Sequence, residues 1–513
     1  MSSRKAKSQP KAPTPPAQRN VVFFHPDLGI GGAERLIVDA AVGLQELGLK
    51  VTIFTSHCDP QHCFEEARDG TLDVRVRGNS LFPPTLLNRF HILLAILRQI
   101  HLVISISVWS NELDKLKPDA FVVDQLSACV PLLRWLYPKC QRTLFYCHFP
   151  DQLLADRRTS GPLGLLKKLY RLPFDWFEGW SMSGSDKIVV NSNFTKSIAS
   201  QVWPALANSF GVVYPCVNVE PEEQRVEQGS LWNNKYKILL SINRFERKKD
   251  IGLAIRAYNT LPTSDRKGTR LIIAGGYDQR VSENVQYHKE LVDLAEGLGL
   301  VTATAKTVPT ALAIPNEIQV LFLLSVPGVF KTTLLQNARL LLYTPTNEHF
   351  GIVPVEAMQH GLPVLASNTG GPLETIVENE TGWLRDVAKV DDWAAVIRMV
   401  IHDLTPQQLQ KIRVNGQQRV SQHFTRRTMA DKFNAELATL LQGKRSTFLE
   451  RGDIVLAVGV ILAFAAALFA TIFKARFGGS LGKGDPRLTE FARARRTSAP
   501  GSEEEMKFFG QQL

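Results

Sequence analysis

Residues 20–55 read NVVFFHPDLGIGGAERLIVDAAVGLQELGLKVTIFT, and the fold is decided in this stretch. Val21–Phe24 is a short apolar strand, and a glycine-rich turn follows it. From Ala33 to Leu47, the residues Leu36, Ala40, Leu44 and Leu47 fall on one helical stripe, which Gly48 stops. Val51–Thr55 returns as a strand. Strand-like runs at Phe121–Asp124, Thr143–Cys147 and Ile188–Asn191 continue the alternation. Apolar strands separated by helical stretches predict a parallel sheet with helices on both faces.

A second series opens near Gly211, with strands expected at Lys237–Asn243, Leu271–Ala274, Gln319–Leu324, Leu340–Tyr343 and Pro363–Ser367. Two consecutive α/β series predict two Rossmann-like, doubly wound lobes facing a cleft, residues 21–210 and 211–445. Ligands of such sheets sit at the carboxyl ends of the strands, so chemistry is expected just after each strand.

The 513 residues are 44% hydrophobic and 21% charged, which excludes wholesale disorder. Of the net charge of +11, much sits at the ends. Residues 1–20 carry Arg4, Lys5, Lys7, Lys11 and Arg19 with no acid and read as a disordered basic arm without a signal-peptide core. Residues 474–513 form a basic tail with eight basic and five acidic residues. A nucleic-acid-binding face on the body is not expected, whereas basic tails beside an apolar segment suit an anionic membrane surface. That segment is Ile454–Phe473, 20 residues without a charge, which reads as a membrane helix. Its topology stays open, because positive charge and the missing signal both point to the cytosolic side. A second apolar stretch, Phe90–Trp109, contains Arg98, Gln99 and His101. It fits either an interfacial helix with those groups outward or a helix of the first lobe. Six cysteines without regular spacing argue for a reducing compartment.

Three loops carry the candidate chemistry. Gly29-Ile30-Gly31-Gly32-Ala33-Glu34-Arg35 has G-x-G, but Glu34 replaces the third glycine and no acid ends the second strand, so the dinucleotide signal is weak. Adjacent Gly31 and Gly32 still let backbone N–H groups approach an anion at a helix start, although a plain tight turn is the competing reading. In Ser241–Asp250, Arg244 supplies a rigid fork and Lys249 a movable charge at the edge of the second sheet, suited to a diphosphate. Asp250 is the expected N-cap of the next helix. In Thr344–Met358, Pro354 is expected at the first helical position, with Glu348 in the loop and Glu356 in the first turn. No Ser, Thr, Asp or Asn immediately precedes Pro354, leaving the helix start to an anion, a sugar hydroxyl or water.

The spacing Glu348-x7-Glu356 around Phe350-Gly351, the early Gly-Gly-Ala-Glu-Arg and the Arg244/Lys249 loop resemble the family 4 retaining glycosyltransferases of GT-B fold. Phe145–Asp151, Val190–Thr195, Thr344–Met358 and Asn368–Glu374 resemble, within that family, the mannosyltransferases of the dolichol pathway. The resemblance spans about residues 20 to 440. It implies GDP-mannose as donor and dolichyl-pyrophosphate-linked Man1GlcNAc2 as acceptor, elongated by an alpha-1,3 and then an alpha-1,6 mannose. The implied place is the cytosolic face of the endoplasmic reticulum membrane, with other early mannosyltransferases of the pathway as partners. Arg244 and Lys249 would hold the diphosphate, and Glu356 the ribose. Glu348 and the amides of Phe350, Gly351 and Ile352 would hold the hexose. His148 would reach the hexose from the first lobe, with Gly31 and Gly32 lining the same pocket.

No D-x-D triplet occurs, so cationic side chains are expected in place of a donor-binding metal, and no cofactor is expected. A non-catalytic subunit that binds the lipid-linked sugar is the alternative reading. His57-Cys58 and His62-Cys63 read as structural rather than as a zinc site. Asn193-Phe194-Thr195 and Asn379-Glu380-Thr381 are formal glycan acceptors. Cys147 beside His148 is not expected to form a nucleophilic dyad, because neighbours in a strand face opposite ways.

Overall fold

A computed structural model of the chain describes residues 18–85, 91–138, 141–154, 162–217, 231–443 and Gly459, without the side chains of 162–170 and 233–234. Residues 1–17 of the expected arm at 1–20, the segment 454–473 (Gly459 apart) and the tail lie outside the described residues. The last residues of the arm are ordered, against expectation: the Arg19 carbonyl accepts from the Lys50 amide and Asn20 opens the first strand.

The first lobe is built on β1 (Asn20–Asp27), β2 (Lys50–His57), β3 (Asp73–Val76), β4 (Ala120–Asp124), β5 (Arg142–Cys147), β6 (Lys187–Val190) and β7 (Phe210–Val212). They lie in the order β3-β2-β1-β4-β5-β6-β7 and pair parallel throughout. The second sheet comprises β8 (Lys237–Ile242), β9 (Thr269–Gly275), β10 (Thr302–Ala305), β11 (Val320–Leu324), β12 (Ala338–Tyr343), β13 (Val364–Ser367) and β14 (Gly382–Arg385). Its order is β10-β11-β9-β8-β12-β13-β14, again parallel. Strand direction of growth reverses between β1 and β4 and between β8 and β12. Those two points are where open α/β sheets leave a crevice for ligands.

All the expected strands are present. The unexpected ones, β3, β7, β10 and β14, are the four sheet edges, only three or four residues long, and β3, β10 and β14 lack a continuous apolar run. The expected division at 210/211 falls inside β7, which pairs with β6 and completes the first sheet.

The helices that frame the site are α1 (Gly32–Glu46), α2 (His91–Ile104), α3 (Pro162–Ser183), α4 (Asn193–Val202), α5 (Ile251–Thr260), α6 (Gly328–Asn337), α7 (Ile352–Gln359) and α8 (Arg426–Gln442). Although α8 follows the second lobe in sequence, it packs on the first. Phe433 is fully buried with its ring 6.1 Å from Phe23 and 6.2 Å from Tyr146, almost parallel to the latter. A buried phenylalanine contributes about 2–3 kcal/mol, so α8 ties the lobes together.

The stretch from His91 to Trp109 has the length and composition to cross a membrane, yet half of it is buried, and it is a helix of the first lobe. Its polar groups point inward, against the outward orientation of an interfacial helix. Arg98 pairs with Asp27 at 2.7 Å, Gln99 bridges the Leu126 carbonyl and the Cys129 amide, and His101 Nδ1 meets the Gly78 carbonyl. Arg98, Gln99 and His101 Nδ1 thus each have a partner, which offsets much of the cost of burying them. His101 Nε2 and the Ser107 hydroxyl are buried without a hydrogen bond among the described residues.

Candidate active site

The loops at the two reversals hold most of the residues singled out in the sequence. Lys249 closes a short 3-10 turn after β8, and its Nζ lies 2.6 Å from Glu348 Oε1 in the loop after β12. The Tyr343 hydroxyl donates to Glu348 Oε2 at 3.1 Å, and burial first, then Glu348, pushes that phenol well above its ordinary range. Thr344 fixes the Lys249 backbone by donating to its carbonyl at 2.7 Å. Arg244, in the same loop, is two-thirds exposed (66%), reaches Glu246 at 3.3 Å and rests its stem against Gly276. The structure thus joins Lys249 to Glu348 and leaves the Arg244 guanidinium facing outward.

The Glu348 loop is clamped from behind. The Gly371 amide donates to the Glu348 carbonyl at 2.7 Å, and the Asn347 amide to Thr369 Oγ1 at 3.1 Å. A side chain at Gly370 (φ +72°) would come within 2.6 Å of the Glu348 carbonyl, and one at Gly371 within 2.2 Å of the Phe350 carbonyl. Only glycines allow this approach.

Two expectations about α7 are corrected. The helix begins at Ile352 with Gly351 (φ 84°) as N-cap, so Pro354 is its third residue and Glu356 lies past the first turn. The left-handed Gly351 lets the loop turn into the helix two residues early. No side chain caps α7, as expected, so its first amides are open to a ligand. Glu356 is gripped by Lys331 of α6, whose Nζ lies 2.8 and 2.7 Å from the two carboxylate oxygens. Lys331 was not foreseen, since no motif surrounds it. Asp250 does stand at the N-cap of α5 but makes no cap hydrogen bond. Its φ is 40°, and its carboxylate takes Arg256 instead.

In the first lobe, Gly31 is the N-cap of α1 and open space lies above Gly32. Glu34 folds back over Gly31, placing a carboxylate at the helix start that the sequence reading reserved for a ligand anion. His148 follows β5, with its Nε2 2.8 Å from Asp124 Oδ1. Burial opposes charge on His148, but Asp124, with Glu34 behind it, carries its pKa above the ordinary 6.5. Cys147 is buried and burial pushes its thiol up, which rules it out as a nucleophile. His57, Cys58, His62 and Cys63 form no cluster of three or more metal-ligating side chains among the described residues.

The lobes meet beside these groups. The His349 ring stacks on Phe149 at 3.8 Å and 7°, and its carbonyl accepts from the Ser192 hydroxyl. Burial pushes His349 down to about 4, with Lys249, Lys248 and His148 adding to the effect against Glu348. Charged groups of both lobes therefore converge on one neutral imidazole. Glu374 accepts from the Asn193 and Phe194 amides at 2.8 and 2.7 Å, and from Asn193 Nδ2 and the Tyr214 hydroxyl at 2.9 Å. It thereby caps α4 from the other lobe. A further feature not foreseen is a surface cavity of about 600 Å³ at the ends of β9 and β11, lined by Tyr277, Arg280, Lys306 and Ser325.

Comparison with known proteins agrees with this architecture. Residues 30–221 match Glycosyltransferase Family 4, and residues 222–419 match Glycosyl transferases group 1. The chain is 53% identical to the alpha-1,3/1,6-mannosyltransferase alg-2 of Neurospora crassa, over 89% of this chain and 97% of that protein. It is 44% identical to the Saccharomyces cerevisiae protein of the same name, over 83% and 85%. Among solved structures, sucrose-phosphate synthase from Thermosynechococcus elongatus superposes with a TM-score of 0.60 at 18% identity, covering 83% of this chain and all (100%) of that one. The lipopolysaccharide glycosyltransferase WaaG superposes at 0.53 and 17%, again covering 83% and 100%. These structures share the two-lobed GT-B fold.

Proposed function

The chain belongs to the alpha-1,3/1,6-mannosyltransferases, and from that premise we propose that it moves mannose from GDP-mannose to dolichyl-pyrophosphate-linked Man1GlcNAc2. It is a mannosyltransferase of lipid-linked oligosaccharide synthesis for N-glycosylation, and the alternative of a non-catalytic binding subunit finds no support.

The observation that carries the site assignment is the Lys249–Glu348 pair at the β8/β12 reversal, next to the uncapped start of α7. Lys249 exchanges Glu348 for the donor's diphosphate, joined by Arg244 from the rim, while the amides of Phe350, Gly351 and Ile352 face the hexose. Glu348, released, accepts hydrogen bonds from the hexose, while Glu356, steadied by Lys331, takes the ribose. His148, Gly31 and Gly32 close over the sugar from the first lobe.

Retention requires the acceptor hydroxyl to attack the face that the leaving group vacates. The departing phosphate accepts the acceptor's proton, and Lys249, Arg244 and the helix start stabilise the charge that builds on it. In this reading cationic side chains do the work of a donor-binding metal. The segment 454–473 and the basic tail hold the enzyme on the cytosolic face of the endoplasmic reticulum membrane, beside other early mannosyltransferases.

The test is incubation of the full chain with GDP-mannose and a phytanyl-pyrophosphate-linked trisaccharide, followed by linkage analysis. Products bearing first an alpha-1,3 and then an alpha-1,6 mannose support the reading, and absence of transfer from GDP-mannose overturns it.

A further inference from the structure

We propose that Asp124 is the positioning residue of the first lobe, holding His148 so that one defined ring nitrogen faces the transferred sugar, with His25 bracing Asp124 from behind. This rests on the reading that His148 contacts the hexose. Asp124 is the last residue of β4, at the strand-order reversal, and is fully buried (0%). Its two oxygens are divided between two imidazoles. Oδ1 lies 2.8 Å from His148 Nε2, and Oδ2 lies 2.8 Å from His25 Nδ1.

The division of contacts has chemical consequences. With Nε2 committed to Asp124, Nδ1 is the nitrogen left to His148 for a ligand. The backbone of the same residue is fixed too, because Asn191 Nδ2 donates to the His148 carbonyl at 3.0 Å. The Tyr146 ring supports the imidazole at 5.0 Å. Neither Lys nor Arg reaches the Asp124 carboxylate in the hydrogen bonds and ion pairs of the described residues. A buried carboxylate without a cation is costly, so a proton on one of its imidazoles is strongly favoured. His148 has the solvent-accessible ring, at 19% exposure against 0% for His25. The groups facing it are Asp124 from β4, His25 through Asp124 from β1, Tyr146 from β5, Glu34 from α1 and His349 from the second lobe. The carboxylates in this set outweigh burial and favour the protonated ring, whose Nδ1–H is the donor left for the cleft. The arrangement follows the logic by which a buried acid orients a catalytic histidine in other enzymes.

The test is the pH dependence of kcat and of KM for GDP-mannose, measured on the full chain with the phytanyl-pyrophosphate trisaccharide as acceptor. The wild-type kcat is expected to fall as pH rises through the His148 pKa. Asp124→Asn is expected to lower kcat at least tenfold, to change the donor KM by less than about threefold, and to move the falling limb to lower pH. His148→Gln is expected to lower kcat and abolish that limb. An unmoved limb in folded Asp124→Asn, with or without loss of kcat, overturns the proposal while His148→Gln still supports the hexose contact. Wild-type turnover in His148→Gln overturns both. If Asp124→Asn does not fold, histidine-selective NMR of the wild-type protein decides. A His148 midpoint above 6.5 with Nε2–H toward Asp124 supports the proposal, and a midpoint at or below 6.5 overturns it.

Discussion

Lys249 and Glu348 are 99 residues apart in the chain, and their side chains meet at 2.6 Å. The pair joins the loops after β8 and β12, and each partner is held in place by the other. An ammonium that leaves a carboxylate for a diphosphate gives up little, because it passes from one anion to another. Lys249→Ala is expected to lower kcat by roughly a hundredfold or more, the scale of losing one electrostatic donor to a leaving group. Circular dichroism should stay unchanged, and turnover within threefold of wild type would refute the assignment.

Lys331 grips both oxygens of Glu356 from the neighbouring helix. Lys331→Met keeps the stem and removes the charge, leaving Glu356 unsteadied for the ribose contact proposed above. The expected result is a rise of about tenfold in the donor KM, equivalent to about 1.4 kcal/mol, with kcat little altered. Steady-state kinetics in GDP-mannose reads the split directly.

Glu374 caps α4 from the opposite lobe and takes four donors on two oxygens. Glu374→Ala should cost about 1–3 kcal/mol, from a lost cap and the donors left behind. A lower Tm, together with faster hydrogen exchange at the Asn193 and Phe194 amides, checks it. Glu374→Gln should fall between the two, because one acceptor oxygen remains.

Glu178 in α3 accepts from the Asp151 and Gln152 amides, yet burial raises its carboxyl to about 7. Between the unfolded value of 4.5 and about 7 the native state holds a proton that the unfolded chain has released. Stability therefore falls as pH rises through that window, and the loss is complete above it. Glu178→Gln should be more stable than wild type at pH ~8, by roughly 1–3 kcal/mol, and close to it at pH ~5. Denaturant melts at the two pH values measure it.

Turnover with GDP-mannose is expected to persist in excess EDTA, since Lys249, Arg244 and the α7 start take the donor's charge. Complete loss that manganese restores would contradict this.

The central strands were legible because each is an apolar run buried on both faces, as Val21–Phe24 and Leu340–Tyr343 show. The edges were not: Thr302–Ala305 and Gly382–Arg385 pair on one side and need no such run. Arg98, Gln99 and His101 looked like a cost to any apolar helix because periodicity cannot name partners. Their partners come from three separate places, Asp27, the 126–129 turn and Gly78. Lys249, Glu348, Glu356 and His148 could be placed beyond strand ends from sequence because their segments follow clear apolar strands, where such folds bind ligands. Lys331 meets Glu356, Asp124 meets His148 and His25 meets Asp124 only through the fold, and nothing in their sequence surroundings announces it. Pro354 was misplaced because the turn was assigned to the proline, whereas Gly351 makes it.

The Asn193 side chain donates to Glu374 and to Tyr214, within the tripeptide Asn193-Phe194-Thr195. The nitrogen on which an oligosaccharide would be built is thus held by a partner from each side of the lobe contact, although the residue itself is exposed. A sugar tree there would leave that nitrogen a single N–H and so cost at least one of the two bonds, loosening the hold of Glu374 and Tyr214 on this turn.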